Sequence, residues 1–279
     1  MTHTANTSGR RYPAVAMASG RALAGLVLGL TLALPAQPVR ADALDELREA
    51  LGKLRGAMPL RATVTARINA TVREDSDKAR VESGSASLVM EDGPQGLRLV
   101  YSPDVLARSS AERAAQRRDG KAPTPTSTAM ARLDVAELAG MAQAAPELLR
   151  WLEVAQLRGE RRDTWNGAPA RVLSLDLAID RESKHVRSAS STVDVWIDAQ
   201  GRPLASKAVS SVSGRVMMVI TFEARSTDDR VYAVVGDRLV VTRWESSSSG
   251  SGMGQSGDSK AVVTLQHGGL SIDSSCCVR

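Results

Sequence analysis

The residues that could do chemistry in this chain are few. His185 and His267 are the only histidines beyond the first few residues, and neither stands in a metal-ligand pattern, so no metal is expected. The chain has two cysteines, Cys276 and Cys277, adjacent near the C-terminus, where they cannot staple distant parts of a fold. Cys276 holds the formal prenylation position, but Arg279 is a poor terminal residue for that reaction. There is no Gly-x-Ser-x-Gly elbow and no Cys placed to pair with a His, which leaves nucleophilic catalysis without a candidate pair. Gly252-Met253-Gly254-Gln255-Ser256-Gly257 matches the dinucleotide fingerprint, yet it lies between two strands instead of opening a helix in a βαβ unit. Asp176, Asp180, Asp194 and Asp198 fall on solvent-phase strand positions or turns. The expectation is a protein with no catalytic residues and no cofactor.

Charge and composition then narrow the setting. The chain has 279 residues, a net charge of +5 and a pI near 9.5, numbers that point toward nucleic acid. However, Arg10, Arg11, Arg21 and Arg40 lie in the first 41 residues, which contain no acid. Without them 32 basic residues face 31 acidic ones, and the electrostatic footprint of a nucleic-acid binder disappears. The same arginines flank an apolar run from Ala22 to Ala33, closed by Pro35 and followed by Val39-Arg40-Ala41. This is the pattern of a secretory signal peptide cleaved after Ala41, with an uncleaved anchor as the alternative. Arg outnumbers Lys 30 to 6 and Phe222 is the only Phe, the bias of a GC-rich bacterial genome. The expected compartment is therefore the periplasm, where the sequon at Asn69-Ala70-Thr71 has no meaning and any contact with the membrane is transient.

Hydrophobic patterning supplies the elements. Leu44, Leu47, Leu51 and Leu54 recur at helical spacing before Gly56. From Arg61 to Arg73 apolar and polar residues alternate strictly, predicting a long strand with one wet face. Further strands are expected at 78–91, 95–101, 157–164, 171–178, 192–198, 203–210, 216–223, 230–235, 238–245 and 260–266. Their turns fall at Asn166-Gly167, Ala199-Gln200-Gly201, near Gly214 and at Gly236-Asp237. The fold class expected is α+β, mainly β: a curled antiparallel sheet or incomplete barrel of about eleven strands with an N-terminal helix. A helical insertion covers one face. Residues 109–128 read as a mobile loop, 129–156 as that lid, 246–259 as a Ser/Gly loop and 271–279 as a tail. The division is a signal peptide over 1–41 and one β domain over 42–270. In the lid, Asp134 and Glu137 form a cap pair, and Pro146 opens a second helix. The lid either gates a ligand or simply completes the core.

Two segments bear a likeness to a known family: Ala43-Leu44-Asp45-Glu46-Leu47 leading into Ala62 to Val72, and Val193-Asp194-Val195-Trp196-Ile197-Asp198-Ala199-Gln200-Gly201-Arg202-Pro203-Leu204. Together with the order of elements, they make the chain resemble the LolA-like periplasmic proteins. The resemblance implies a curled sheet wrapped around helices and an apolar cavity that holds lipoprotein acyl chains; related domains act as sensors of envelope stress. The cavity residues expected are Met90, Tyr101, Met141, Trp151, Val216, Met218, Ile220 and Phe222, with flexible Met side chains suiting an adaptable acyl site. The function expected is that of a non-enzymatic binding protein for a hydrophobic ligand such as the acyl chain of a lipid or lipoprotein. The alternative is a non-catalytic envelope interaction or stress-sensor module with an envelope protein as its partner. Protein purified from the periplasm should begin at Asp42; an intact mass that retains residues 1–41 would contradict this and indicate an anchored protein.

Overall fold

The computed structural model describes residues 42–73, 79–178, 186–216, 220–252 and 255–268, all in the second of the two compact units into which the chain divides. The expected signal peptide, His185, Met218, Cys276 and Cys277 lie outside these residues. Helix α1 (Asp42–Lys53) buries Ala43, Leu47, Ala50 and Leu51, as the leucine spacing predicts. It is followed by β1 (Leu60–Arg73), β2 (Ala79–Gly93) and β3 (Gly96–Tyr101). Helices α2 (Pro103–Arg118), α3 (Pro125–Met130), α4 (Val135–Ala142) and α5 (Ala144–Val154) come next. The chain then returns to strands: β4 (Ala155–Trp165), β5 (Ala168–Leu177), β6 (Val186–Ile197), β7 (Pro203–Val216), β8 (Ile220–Val235), β9 (Arg238–Gly252) and β10 (Gln255–His267).

These ten strands form one antiparallel sheet in the order β3-β2-β1-β10-β9-β8-β7-β6-β5-β4. The sheet is open, because β3 and β4 are its two edges and do not pair. Turns sit where left-handed backbone is available: Asn166 and Gly167 have φ of 50° and 79° in the β4–β5 hairpin, and Gly236 has φ of 62° between β8 and β9.

Three expectations are corrected. Among the described residues the strands number ten, because the two expected at 216–223 and 230–235 are replaced by one, β8, which runs through Ala224 to Asp229. Its polar middle stays extended because both neighbours match it in register, Ser210 and Ser248 flanking Ser226. Consequently β7 runs on to Val216, which pairs with Ile220, and Gly214, near which a turn was expected, lies inside a strand. The Ser/Gly segment 246–259 is the far end of the β9–β10 hairpin, each residue paired from Ser246–Ala261 to Gly252–Gln255. Pairing on both sides supplies the backbone hydrogen bonds that such a segment lacks in isolation. Within 109–128, Ser109 to Arg118 is helical: Ser102 accepts a hydrogen bond from the Val105 N–H, Pro103 opens the helix, and Arg117 and Arg118 sit at the favourable end of its dipole. Glu112 on α2 then accepts from the Thr126 and Ser127 N–H groups, both at 2.9 Å, which fixes the start of α3.

The helices follow the sheet's inner face. Helix α3 lies on β2 at Gly84, where an added Cβ would stand 1.9 Å from the Pro125 carbonyl oxygen, so only glycine permits this approach. Asp134 caps α4 by accepting from Ala136 N at 2.8 Å and Glu137 N at 3.4 Å, the cap read from the sequence. One buried cluster joins α1, α3, α4 and α5 to the inner residues of β1, β2, β5, β6, β9 and β10.

At this end of the sheet lies a buried ion pair. Arg238, 2% exposed, donates to Asp92 Oδ2 and to the Met58 carbonyl, and Gln143 Nε2 donates to the same Asp92 oxygen at 3.0 Å. Asp92 is on β2 and Arg238 on β9, three places apart in the sheet and roughly 14 Å apart were it flat. Their contact requires the sheet to coil. Asp92→Ala would leave the guanidinium buried without a counter-charge and should cost about 3–5 kcal/mol in urea unfolding, whereas the double change Asp92→Leu with Arg238→Met should cost much less. Equal losses in the two variants would contradict the assignment.

Candidate functional site

Register turns the concave face into rows of side chains. Beginning with β1, one row reads Ala66, Val263, Trp244, Arg230, Ser206, Val195 and Leu173. The next reads Ile68, Ala261, Ser246, Asp228, Ala208, Val193 and Leu175. A third has Ala70 followed by five serines, Ser259, Ser248, Ser226, Ser210 and Ser191, one on each successive strand. The fourth holds Gly257, Gly250, Ala224, Val212 and Ala189. Side-chain size and apolar burial fall together from the first row to the last.

The first two rows are filled and covered by helices. Arg230 is held among α5, β8 and β9: its guanidinium carbon lies 5.1 Å from the Trp151 ring and 5.9 Å from the Trp244 ring, and it pairs with Glu147 at 2.8 Å. Burial alone would lower the Arg230 pKa, but Glu147, Tyr232 and Asp228 together hold it above its ordinary value. Asp228 accepts from Trp244 Nε1 at 2.9 Å. Glu137 on α4 is pushed up by burial, partly offset by the nearby Arg230. Tyr232 and Ser206, both buried, share a hydrogen bond of 2.7 Å, and burial pushes the phenol up to about 12.

The last two rows are open. They border an open depression of about 450 Å³ whose lining comes from five adjacent strands, β1, β10, β9, β8 and β7. Ala70, Ser210, Val212, Ala224, Ser226, Ser248, Gly250, Gly257 and Ser259 belong to the concave phase. Thr71, Ser211, Arg225, Ser249 and Asp258 alternate with them and belong to the opposite phase. This volume is a trough between the helix-covered core and the far end of the sheet. Its size is that of a small-ligand site.

The residues expected to line a cavity are distributed differently. Met90 on β2 and Met141 on α4 are fully packed in the core, with half-buried Tyr101 and Trp151 against the same cluster. Burial raises the Tyr101 phenol. Phe222 lies apart from that cluster, in the concave phase, one row beyond Ala224 and opposite Gly252. Val216 and Ile220 pair at the end of the β7–β8 hairpin. Met90, Tyr101, Met141, Trp151 and Phe222 do not line the trough. Sequence reasoning missed the serine row, and its one available signal was the shared Ser-rich composition of 186–191, 206–213 and 246–259. Among the described residues no group of three or more His, Cys, Asp and Glu is placed to hold a metal ion.

No protein-family model matches the sequence, and no curated protein does. Among solved structures the chain is similar to a LolA superfamily protein from Nitrosomonas europaea. The two are 15% identical over 82% of this chain and 94% of that one, with a TM-score of 0.22.

The buried phenol gives this face a pH dependence. An unfolded tyrosine ionises near pH 10 and Tyr232 near 12, so between those values the folded state keeps a proton the unfolded state has lost. Stability contributed by the neutral phenol is complete below pH 10 and declines as pH rises toward 12. Tyr232→Phe should flatten that decline in urea unfolding. At pH 7 it should cost about 1–3 kcal/mol, because the buried Ser206 hydroxyl loses its partner. An unchanged alkaline profile would show that another group governs it.

Proposed function

We propose that the protein is an exported, periplasmic binding protein that holds an acyl chain of a lipid or lipoprotein in the trough on the concave face of its sheet. The observation that carries this reading is the contrast along one face. Under the helices the floor is filled by large side chains such as Met90, Leu173 and Leu265, all fully buried. Beyond Asp228 the trough's concave lining is only Ser, Ala, Gly and Val over five strands, bordering an open depression of about 450 Å³. Small side chains on a rigid sheet leave room for a linear chain, and each methylene removed from water contributes about 0.8 kcal/mol. Ten methylenes half removed from water in an open trough would supply roughly 4 kcal/mol before ordering costs, the scale of weak, reversible loading.

A second reading, an envelope interaction or stress-sensor module, is favoured by the convex face. There Trp165 and Trp196 lie 5.8 Å apart at 48°, Arg161 stands over Trp196, and Trp196 Nε1 donates to Asp163 at 3.1 Å. In register with them lie buried Ala170, Val172 and Ala205, which are not part of the main core cluster. Tryptophan and arginine over a small buried base are the composition of a protein-binding hot spot.

Native mass spectrometry of protein purified from the periplasm should show a co-purifying lipid, and an uncharged solvatochromic dye should enter the trough. Ala224→Trp should lower dye affinity at least about tenfold with little change in thermal unfolding, since the site is open. Undiminished dye binding in this variant would place the ligand elsewhere, and no bound lipid or dye uptake at all would favour the second reading.

A further inference from the structure

Helix α2 ends in a run of positive charge that the fold leaves unneutralised. Arg113, Arg117, Arg118 and Lys121 are exposed, and none of these side chains has an ion pair or hydrogen bond among the described residues. Arg108, earlier on the same helix, is exposed and equally unpaired. Several sheet arginines, by contrast, stand against carboxylates: Arg73 pairs with Asp258, Arg161 with Asp163 and Asp194, and Arg243 with Glu245. The acids nearest in sequence are committed elsewhere. Glu112 is turned to α3, where it accepts from the Thr126 and Ser127 N–H groups at 2.9 Å, and Asp119 Oδ1 accepts from the Lys121 N–H at 3.0 Å. Asp104, in the first turn, lies roughly 14 Å along the helix axis from Arg113. The helix dipole favours Arg117 and Arg118 in the last turn. It gives no reason for Arg113 beside Arg117 at i,i+4, where like charges repel.

The placement is also directional. Val105 and Ser109 mark the buried side of α2. Helical geometry then turns Arg117 and Arg118 outward with Ala107, Ala111 and Ala114, and puts Arg108 and Arg113 on the two flanks. Leu106, 47% exposed, shares the row of Arg113 and Arg117. The outward surface is therefore low, paved with alanine and rimmed by guanidinium groups, and α2 carries no aromatic residue. A protein hot spot calls for an aromatic anchor and a single-stranded nucleic acid for stacking platforms. A flat layer of phosphate esters needs neither. Short alanines let the helix lie close to it, and arginine side chains can lie along the surface with each guanidinium gripping phosphate oxygens in a bidentate pair.

We propose that α2 docks the protein reversibly onto a bilayer surface rich in anionic phospholipid. The contact is electrostatic and peripheral, because Leu106 is the one large apolar residue on the outward side, too little to drive insertion. Each cation near such a surface raises partitioning about fivefold. The inference stands apart from the acyl reading, since α2 contributes nothing to the lining of the trough.

The test is co-sedimentation of the full mature protein with phosphatidylcholine vesicles containing about one-third phosphatidylglycerol, against vesicles of phosphatidylcholine alone. Binding to the anionic vesicles should be at least about tenfold stronger, and should be largely lost when salt rises from about 50 mM to about 500 mM, which shortens the screening length roughly threefold. Arg117→Gln with Arg118→Gln should weaken it about 25-fold, whereas Arg117→Lys with Arg118→Lys keeps the charge and should stay within about threefold. Arg61→Gln with Arg243→Gln removes the same charge from the sheet and should leave binding nearly unchanged. A loss as large in the sheet variant as in the helix variant would trace binding to net charge and overturn the proposal. If the glutamine double variant fails to fold, Arg117→Gln alone, expected to lose about fivefold, carries the test. Ala224→Trp, which fills the trough, should leave vesicle binding intact; its loss there would assign the lipid contact to the trough and overturn docking through α2. Equal binding to neutral vesicles, or tighter retention by a polyglutamate peptide or an oligonucleotide, would overturn the membrane assignment and leave the acyl reading untouched.

Discussion

A guanidinium that is 2% exposed cannot remain in a protein without a counter-charge, and the demands of Arg238 organise one end of this molecule. The network around it joins four separate parts of the chain: Arg238 itself at the start of β9, its two acceptors, Asp92 at the end of β2 and the Met58 carbonyl before β1, and Gln143 between α4 and α5, which donates to Asp92. Asp237, the preceding residue, accepts from the Ala57 and Met58 N–H groups and so secures the connection from α1. A flat sheet would hold Asp92 and Arg238 apart. Once coiled to bring them together, it presents a concave face, and the helices have a surface to cover.

From that anchored end the concave face changes character by rows. Where α1, α4 and α5 lie over it, large aliphatic side chains fill the space. Asp228 marks the boundary, one row beyond Arg230, which is linked to α5 through Glu147 and Trp151 and to β9 through Trp244. Past it no helix is needed, because serine, alanine and glycine leave little apolar surface to bury and much of their polarity is satisfied across the strands. A packed core and an open trough thus occupy successive stretches of the same strands.

Much of this was legible in the sequence. The strict alternation from Ala62 to Val72, the Asn166-Gly167 turn and the Asp134 cap carry local signals strong enough to survive without tertiary context. The small-residue character of the trough was not legible, for a physical reason. Ser226, Ser248 and Ser259 have weak strand preference taken singly, and only mutual pairing makes each extended. The same blindness split β8 into two strands and turned the β9–β10 hairpin into a loop. The expected cavity drew on the largest flexible side chains, and two of them, Met90 and Met141, are packed in the core. Large apolar residues announce a core more readily than small ones announce a space.

The central claim is that an acyl chain lies over the small-residue rows and not among the helices. Photo-crosslinking with an acyl chain bearing a terminal diazirine, followed by peptide mapping of the labelled protein, tests it directly. Label confined to β7, β8, β9 and β10, between about residues 210 and 226 and between 246 and 261, is the result expected. Label concentrated on α4 and α5, at Met141 or Trp151, would contradict the account and return the cavity to the space beneath the helices.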